Sequence, residues 1–336
     1  ATLILFFDSF SFRVLIIHRM EDQPLRYFLF TFTNVFIALT LNYYFLIILN
    51  YGVLGSLYSQ LCASIVLFAF SLPVLLNRIS IKEFSLSYLK KIILFGLPFL
   101  PSVLFQLIID FSDRKLLLYF TDMETVGLYS SSYKVASIML FLIAGFRLGW
   151  EPYFLKLEKN RSAIISNISN IVILIFLSVF LFNTLFINDI IINSNSFLSF
   201  SLIGENFWSS LPVVPIIMFG YVFLLFYYLQ MPAIYYFNKT TKLPFFRFLG
   251  AITNIVMNII LIPYWGIYGA AIATSFSFAI MTIPFFFYCN RLLKIEYDWN
   301  MIGSYLLYIL TIYFFKIYYS LYLPFALFLF FIAISM

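Results

Sequence analysis

The 336-residue chain is 63% hydrophobic and 10% charged, with a net charge of +6 and a mean hydropathy of +1.01. Soluble domains carry about a quarter charged residues, and no soluble fold could cover this much apolar surface. The composition therefore predicts an all-α, polytopic membrane protein and leaves no basis for nucleic-acid binding. Barrel strands alternate with polar lumen residues, and these runs do not.

A membrane helix needs about 20 apolar residues to cross a ~30 Å core. In chain order, candidate spans run over 1–18, 27–50, 53–76, 92–119, 126–154, 163–188, 211–237, 244–264, 267–289, 300–316 and 320–336, about 11 in all. The opening "ATLILFF" has no Met and no basic region, so it does not read as a signal peptide. The chain ends inside "LPFALFLFFIAISM", and both ends fall in apolar runs, so a fragment of a longer protein is expected. The stretch 78–91, "RISIKEFSLSYLKK", places Ile81, Phe84 and Tyr88 at helical spacing among lysines, as expected of an amphipathic helix on the membrane surface.

Charge sorts with this list. Fourteen of the 20 Lys and Arg residues fall in one set of connections: Arg19, Arg26, Arg78, Lys82, Lys90, Lys91, Lys156, Lys159, Arg161, Lys239, Lys242, Arg247, Arg291 and Lys294. The alternate connections hold Asp122, Glu124, Asp189 and Glu205. This skew predicts that the basic loops are cytoplasmic. Cys62 and Cys289 have no neighbouring Cys or His, so no metal site, disulfide framework or cofactor is indicated. The one histidine, His18, reads as a boundary residue, and no catalytic residue is assigned.

An internal repeat joins the two ends. "GVLGSLYSQLCAS" (52–64) and "GIYGAAIATSFSF" (266–278) align at an offset of 214 residues, matching Gly52 with Gly266 and Gly55 with Gly269. Gly55, Ser59 and Ala63, and likewise Gly269, Ala273 and Ser277, recur every four residues, one face of a helix that lets a neighbour approach closely in lipid. Each copy follows an apolar helix carrying Asn42 or Asn258 and a short basic loop. Six spans separate the copies, so the repeats are parallel, a transporter pattern with substrate near the midplane. The expected division is 1–77 (remainder of a six-helix lobe), 78–91 (linker), 92–289 (a second six-helix lobe) and 290–336 (two added helices), with about three helices lacking from the amino end.

The stretch "FGLPFLPSVLFQLIIDFSDRKLLLYFTDMETVGLYSSSYKVA" resembles the seventh and eighth helices of polysaccharide and O-antigen flippases of the multidrug/oligosaccharidyl-lipid/polysaccharide exporter superfamily. Gly96, Pro98, Asp113, Arg114, Gly127, Tyr129, Tyr133 and Lys134 carry the match. Residues 238–278 resemble that family's eleventh and twelfth helices through Lys239, Thr240, Asn254, Asn258, Pro263, Gly266, Gly269, Ala270 and Ala271. The resemblance implies two bundles around a central cavity in a bacterial cytoplasmic membrane. It also implies export of a lipid-diphosphate-linked oligosaccharide by alternating access, with membrane lipids and other polysaccharide-assembly proteins as partners. Two alternatives stay open: a membrane-embedded glycosyltransferase or polymerase of the same pathway, and a multidrug exporter of the same superfamily.

Apart from those fourteen and Lys316, the remaining five cations all fall inside spans: Arg13, Arg114, Lys115, Lys134 and Arg147. A charge at the bilayer centre costs about 2.5–3.5 kcal/mol on insertion scales, so it must face protein or water. Lys115 is close enough to the outer turn near Thr121 to snorkel. Arg114, Lys134, Arg147 and Arg13 are the candidate lining of a cationic cavity for a diphosphate, since Arg forks onto phosphate oxygens and Lys is a compact charge. Asp110, four residues before Arg114, and Asp113 are expected to hold Arg114 in place.

Overall fold

The computed structural model describes residues 2–78, 84–157, 161–192 and 202–318. Every regular element among them is helical, and the chain is a multi-pass membrane protein. It divides into two compact units, Ala1–Lys90 and Lys91–Met336.

The first unit holds α1 (Thr2–Met20), α2 (Pro24–Tyr43) and α3 (Gly52–Arg78). Pro24 opens α2, where its missing N–H costs nothing. Both α1 and α2 pack on α3. The face α1 buries is Ser11, Val14, Leu15 and His18, spacing 3-1-3 along one stripe. The face of α3 includes Gly55, Ser59, Ala63, Leu67, Ser71 and Leu75, the four-residue stripe read from the sequence. Ser59 donates to Asn42 Oδ1 at 2.8 Å.

The boundary between the units falls within α4 (Leu86–Gly96), and the second unit continues through α5 (Phe99–Phe120), α6 (Met123–Lys156) and α7 (Arg161–Ile192). It continues through α8 (Val214–Leu229), the short α9 (Met231–Tyr236), α10 (Leu243–Asn290) and α11 (Trp299–Tyr318). Asp122 caps α6, accepting from the Thr125 N–H at 2.7 Å; that bond holds its exposed carboxyl below the usual range. The core centres on α10, which packs against α5 and α8, with α6 and α7 also on α8.

Seven stretches among the described residues are long and apolar enough to span a membrane, against the eleven expected. The difference has three sources. Spans 244–264 and 267–289 lie in the single element α10. The first span, α1, carries Asp8, Arg13 and Arg19 and is not one of the seven; nor is α11, which covers 300–316. Span 320–336 and part of the 78–91 link lie outside the described residues.

α10 is not straight. Gly266 has φ +51, a left-handed value that favours glycine. Leu261 and Gly269, eight residues apart, would sit about 12 Å apart along an ideal helix. A Cβ on Gly269 would instead lie 2.5 Å from the Leu261 carbonyl oxygen, so the chain turns back at Gly266. The first copy does the same: Gly52 has φ +55, and a Cβ on Gly55 would lie 3.0 Å from Phe45 Cβ. In both copies of the repeat, then, the first glycine is left-handed at the turn, joined in the first copy by Asn50 at φ +55, and the second lets the helices touch.

Gly269→Ala is expected to lower stability by about 1–3 kcal/mol through overpacking on backbone, and Gly266→Ala by about 1–2 kcal/mol through left-handed strain. Thermal unfolding in detergent checks both, with Gly303→Ala, inside a helix and with a Cβ that would meet nothing within 4 Å, as the control that does not destabilise.

Candidate functional site

The charges of α5 separate onto two faces. Asp113 is fully buried and points at α6 and α10. Its Oδ1 accepts from Asn254 Nδ2 at 3.0 Å and Asn258 Nδ2 at 2.7 Å. Its Oδ2 accepts from the Tyr129 hydroxyl at 2.7 Å and from Thr274 Oγ1. Asn254 Oδ1 in turn accepts from Asn258 Nδ2 at 3.1 Å and from Ser112. No ion pair to Asp113 occurs among the described residues; four neutral donors stabilise the carboxylate instead. Asn258 Oδ1 is buried without a hydrogen-bond partner. Carboxylate, amide and hydroxyl oxygens thus converge at one point, a set that could take a proton or a small hard cation.

The other face carries Gln106, Asp110 and Arg114. Gln106 Nε2 donates to Asp110 Oδ1 at 2.9 Å. Gln106 Oε1 accepts from Arg247 on α10. Arg247 Nε donates to the Tyr227 hydroxyl at 3.3 Å, and the guanidinium lies over the Tyr227 ring at 4.6 Å. Arg147 pairs with Glu151 at 3.1 Å and stacks over the Tyr228 ring at 3.9 Å.

The expected support of Arg114 by the two aspartates does not take the form of an ion pair. Arg114 Nη1 donates to the backbone carbonyl of Asp110 at 2.9 Å, not to its carboxylate. Asp113 faces away because a helix turns about 100° per residue, which separates it from Arg114. The half-buried guanidinium of Arg114 lies over the Tyr133 ring at 4.5 Å. Lys134 is exposed and lines a different recess with Ser130, Ser131, Gly204 and Phe207, so it and Arg114 are not brought together in one cluster. Lys115 is exposed. Arg13 is exposed in the first unit, in a recess shared with Arg78, which pairs with Glu21.

Arg247 differs from the expectation for a loop cation. It sits inside α10 and is 7% exposed. The available signal was its flanks, "LPFFRFLG", in which phenylalanines surround the arginine. Tyr227 and Tyr228 gave no signal among 25 tyrosines.

No family model matches the chain. One relative is an uncharacterized membrane protein of Methanocaldococcus jannaschii, 32% identical over 96 residues, which is 29% of this chain and 19% of that protein. Another is the probable low-salt glycan biosynthesis flippase Agl15 of Haloferax volcanii, 36% identical over 55 residues, 16% of this chain and 12% of the flippase. The matched stretches thus span under a fifth of either relative. A solved multidrug resistance MATE family transporter of the MOP superfamily, in an outward-facing conformation, superposes with TM-score 0.71. The overlap covers 90% of this chain and 68% of that one at 17% identity. The fold is that of the MATE transporters. Within this MATE fold the Asp113 cluster and the Arg114 face both lie in the second unit.

Removing the Asp113 carboxylate takes the acceptor from four donors in an apolar interior, of which Thr274 keeps another, the Ala270 carbonyl at 3.1 Å. Asp113→Leu is expected to cost about 1–3 kcal/mol for each donor left unpaired and buried, and Asp113→Asn less, since its amide oxygen still accepts. Thermal unfolding of the purified protein reads the order wild type, Asn, Leu; Lys115→Gln should leave the midpoint unchanged.

Proposed function

We propose that the chain is a transporter that moves a lipid-diphosphate-linked oligosaccharide across the membrane by alternating access, with no bond made or broken. The observation that carries the reading is Arg114. Its guanidinium is half-buried in a membrane helix, lies over Tyr133, and has no carboxylate within ion-pairing distance among the described residues. A cation kept at such depth needs a partner to offset its desolvation, and a diphosphate offers oxygens that match the guanidinium fork. The short similarity to Agl15 supports a lipid-linked glycan as the cargo, and the MATE fold supports transport rather than catalysis.

In this reading Lys134 meets the same anion at another stage of its passage, Arg147 guards an approach to the path within the second unit, and Arg13 is a cationic contact of the first unit. The basic loops face the cytoplasm. The product serves polysaccharide or O-antigen assembly. Asp113 and its oxygens are the place for a coupling proton or cation. A second reading takes small cationic drugs as cargo; the acids Asp110 and Asp113 and the fold shared with a multidrug resistance transporter favour it.

The deciding measurement is surface glycan in a flippase-deficient strain carrying this chain. Arg114→Ala and Lys134→Ala are each expected to cut export about tenfold or more, the loss of a charge-assisted contact, with membrane levels unchanged by immunoblot. Normal export by both variants would sink the flippase reading. Resistance to a cationic drug that disappears in Asp110→Asn, with glycan export absent throughout, would establish the second.

A further inference from the structure

We infer that Arg247 and Gln106 are positioning residues that set the anion affinity of Arg114, because they hold the Asp110 carboxylate away from it. The inference rests on the proposed role of Arg114 as a phosphate receptor.

Asp110 and Arg114 stand four residues apart on α5. In a low-dielectric interior, that spacing would ordinarily give a direct ion pair, and a receptor so paired is neutralised before any ligand arrives. The structure does otherwise. Arg114 reaches the Asp110 carbonyl, while the Asp110 carboxylate accepts from Gln106 at 2.9 Å. The far side of the same amide accepts from Arg247.

The chemistry of this bridge is selective. A guanidinium has only donors, and an ionised carboxylate only acceptors. A side chain joining the two must accept on one side and donate on the other, and the amide of Gln106 does so in a single orientation. The bridge therefore spends the charge of Asp110 on Arg247. Arg247 needs it: the residue is 7% exposed, its other contacts are the Tyr227 hydroxyl and the faces of Tyr227 and Tyr228, and no carboxylate of the described residues is in ion-pairing distance. A buried cation without compensation is strongly disfavoured. Two arginines thus compete for one carboxylate, and Gln106 awards it to the more buried. Arg114 keeps four of its five donors outside any hydrogen bond to the described residues, with its plane fixed by Tyr133.

Loss of the bridge has a directional consequence. With Arg247 or Gln106 removed, the Asp110 carboxylate turns to Arg114 and competes with the ligand. Neutralising Asp110 in the same background removes the competitor. A purely structural role for Arg247 or Gln106 would show no such rescue.

The test uses the full chain purified in detergent, with inorganic pyrophosphate as the probe and calorimetry as the readout; thermal unfolding confirms that each variant is folded. Wild type is expected to bind, and Arg114→Ala to bind about tenfold or more weakly. Gln106→Met and Arg247→Met should each weaken binding about tenfold, the order of one charge-assisted contact. Adding Asp110→Asn to either should restore affinity to the wild-type level or beyond. Because Gln106→Met leaves the buried arginine in place, it serves should Arg247→Met fail to fold. Wild-type affinity in Gln106→Met, or double variants as weak as the single ones, would overturn the inference while leaving Arg114 as receptor. Binding that ignores Arg114→Ala would remove the receptor reading itself, and this inference with it.

Discussion

The second unit depends on one buried carboxylate satisfied by neutral donors. Asp113 on α5 takes four hydrogen bonds, one from α6 and three from the two arms of α10. In an apolar interior each of these bonds is stronger than in water, and each missing one is correspondingly costly. The cluster therefore fixes the register of three elements at once. Close backbone approach accompanies it: a Cβ on Gly250 would crowd Ile109 and Met281, and one on Gly220 would lie 2.9 Å from Ser275. Packing and polar contact reinforce each other, since small residues on α8 and α10 let the helices come near enough for short side chains to meet.

The repeated glycines supply the geometry that makes this possible. Asn254 and Asn258 lie before the Gly266 turn and Thr274 after it, and all three reach one carboxylate because the chain reverses there. In the first unit the corresponding turn at Gly52 brings Asn42 against Ser59, a neutral pair with no carboxylate. The same backbone device thus carries a charged cluster in one copy and a neutral contact in the other.

The arginines follow a second rule. Arg114, Arg147 and Arg247 each lie over a tyrosine ring, and only Arg147 also has a direct carboxylate partner among the described residues. Aromatic faces lower the cost of burying a guanidinium without neutralising it. Direct ion pairs would have held the same side chains with less charge left over. The surplus of tyrosine, which composition alone left without meaning, has a physical role at these three positions.

Much of this was legible in sequence. Apolar runs named the helices because lipid admits few other spanning structures, and the four-residue stripe on α3 named its buried face. The small-residue stripes named the faces of close approach, while the left-handed turns at Gly52 and Gly266 came from the structure. Asp110, Asp113 and Arg114 were legible as unusual because charge within an apolar run is costly. Their partners were not. Spacing of four pairs Asp110 with Arg114 along one helix, but it cannot see a residue 133 positions further on. Arg247 read as a loop cation until α10 placed it against Gln106, and Asp113 read as an accessory until Asn254, Asn258 and Thr274 closed around it. Local spacing determined that charges fall within apolar helices; only the tertiary fold decided which of them are buried and which groups they meet, because those contacts come from segments distant in the chain that a turn at a single glycine brings together.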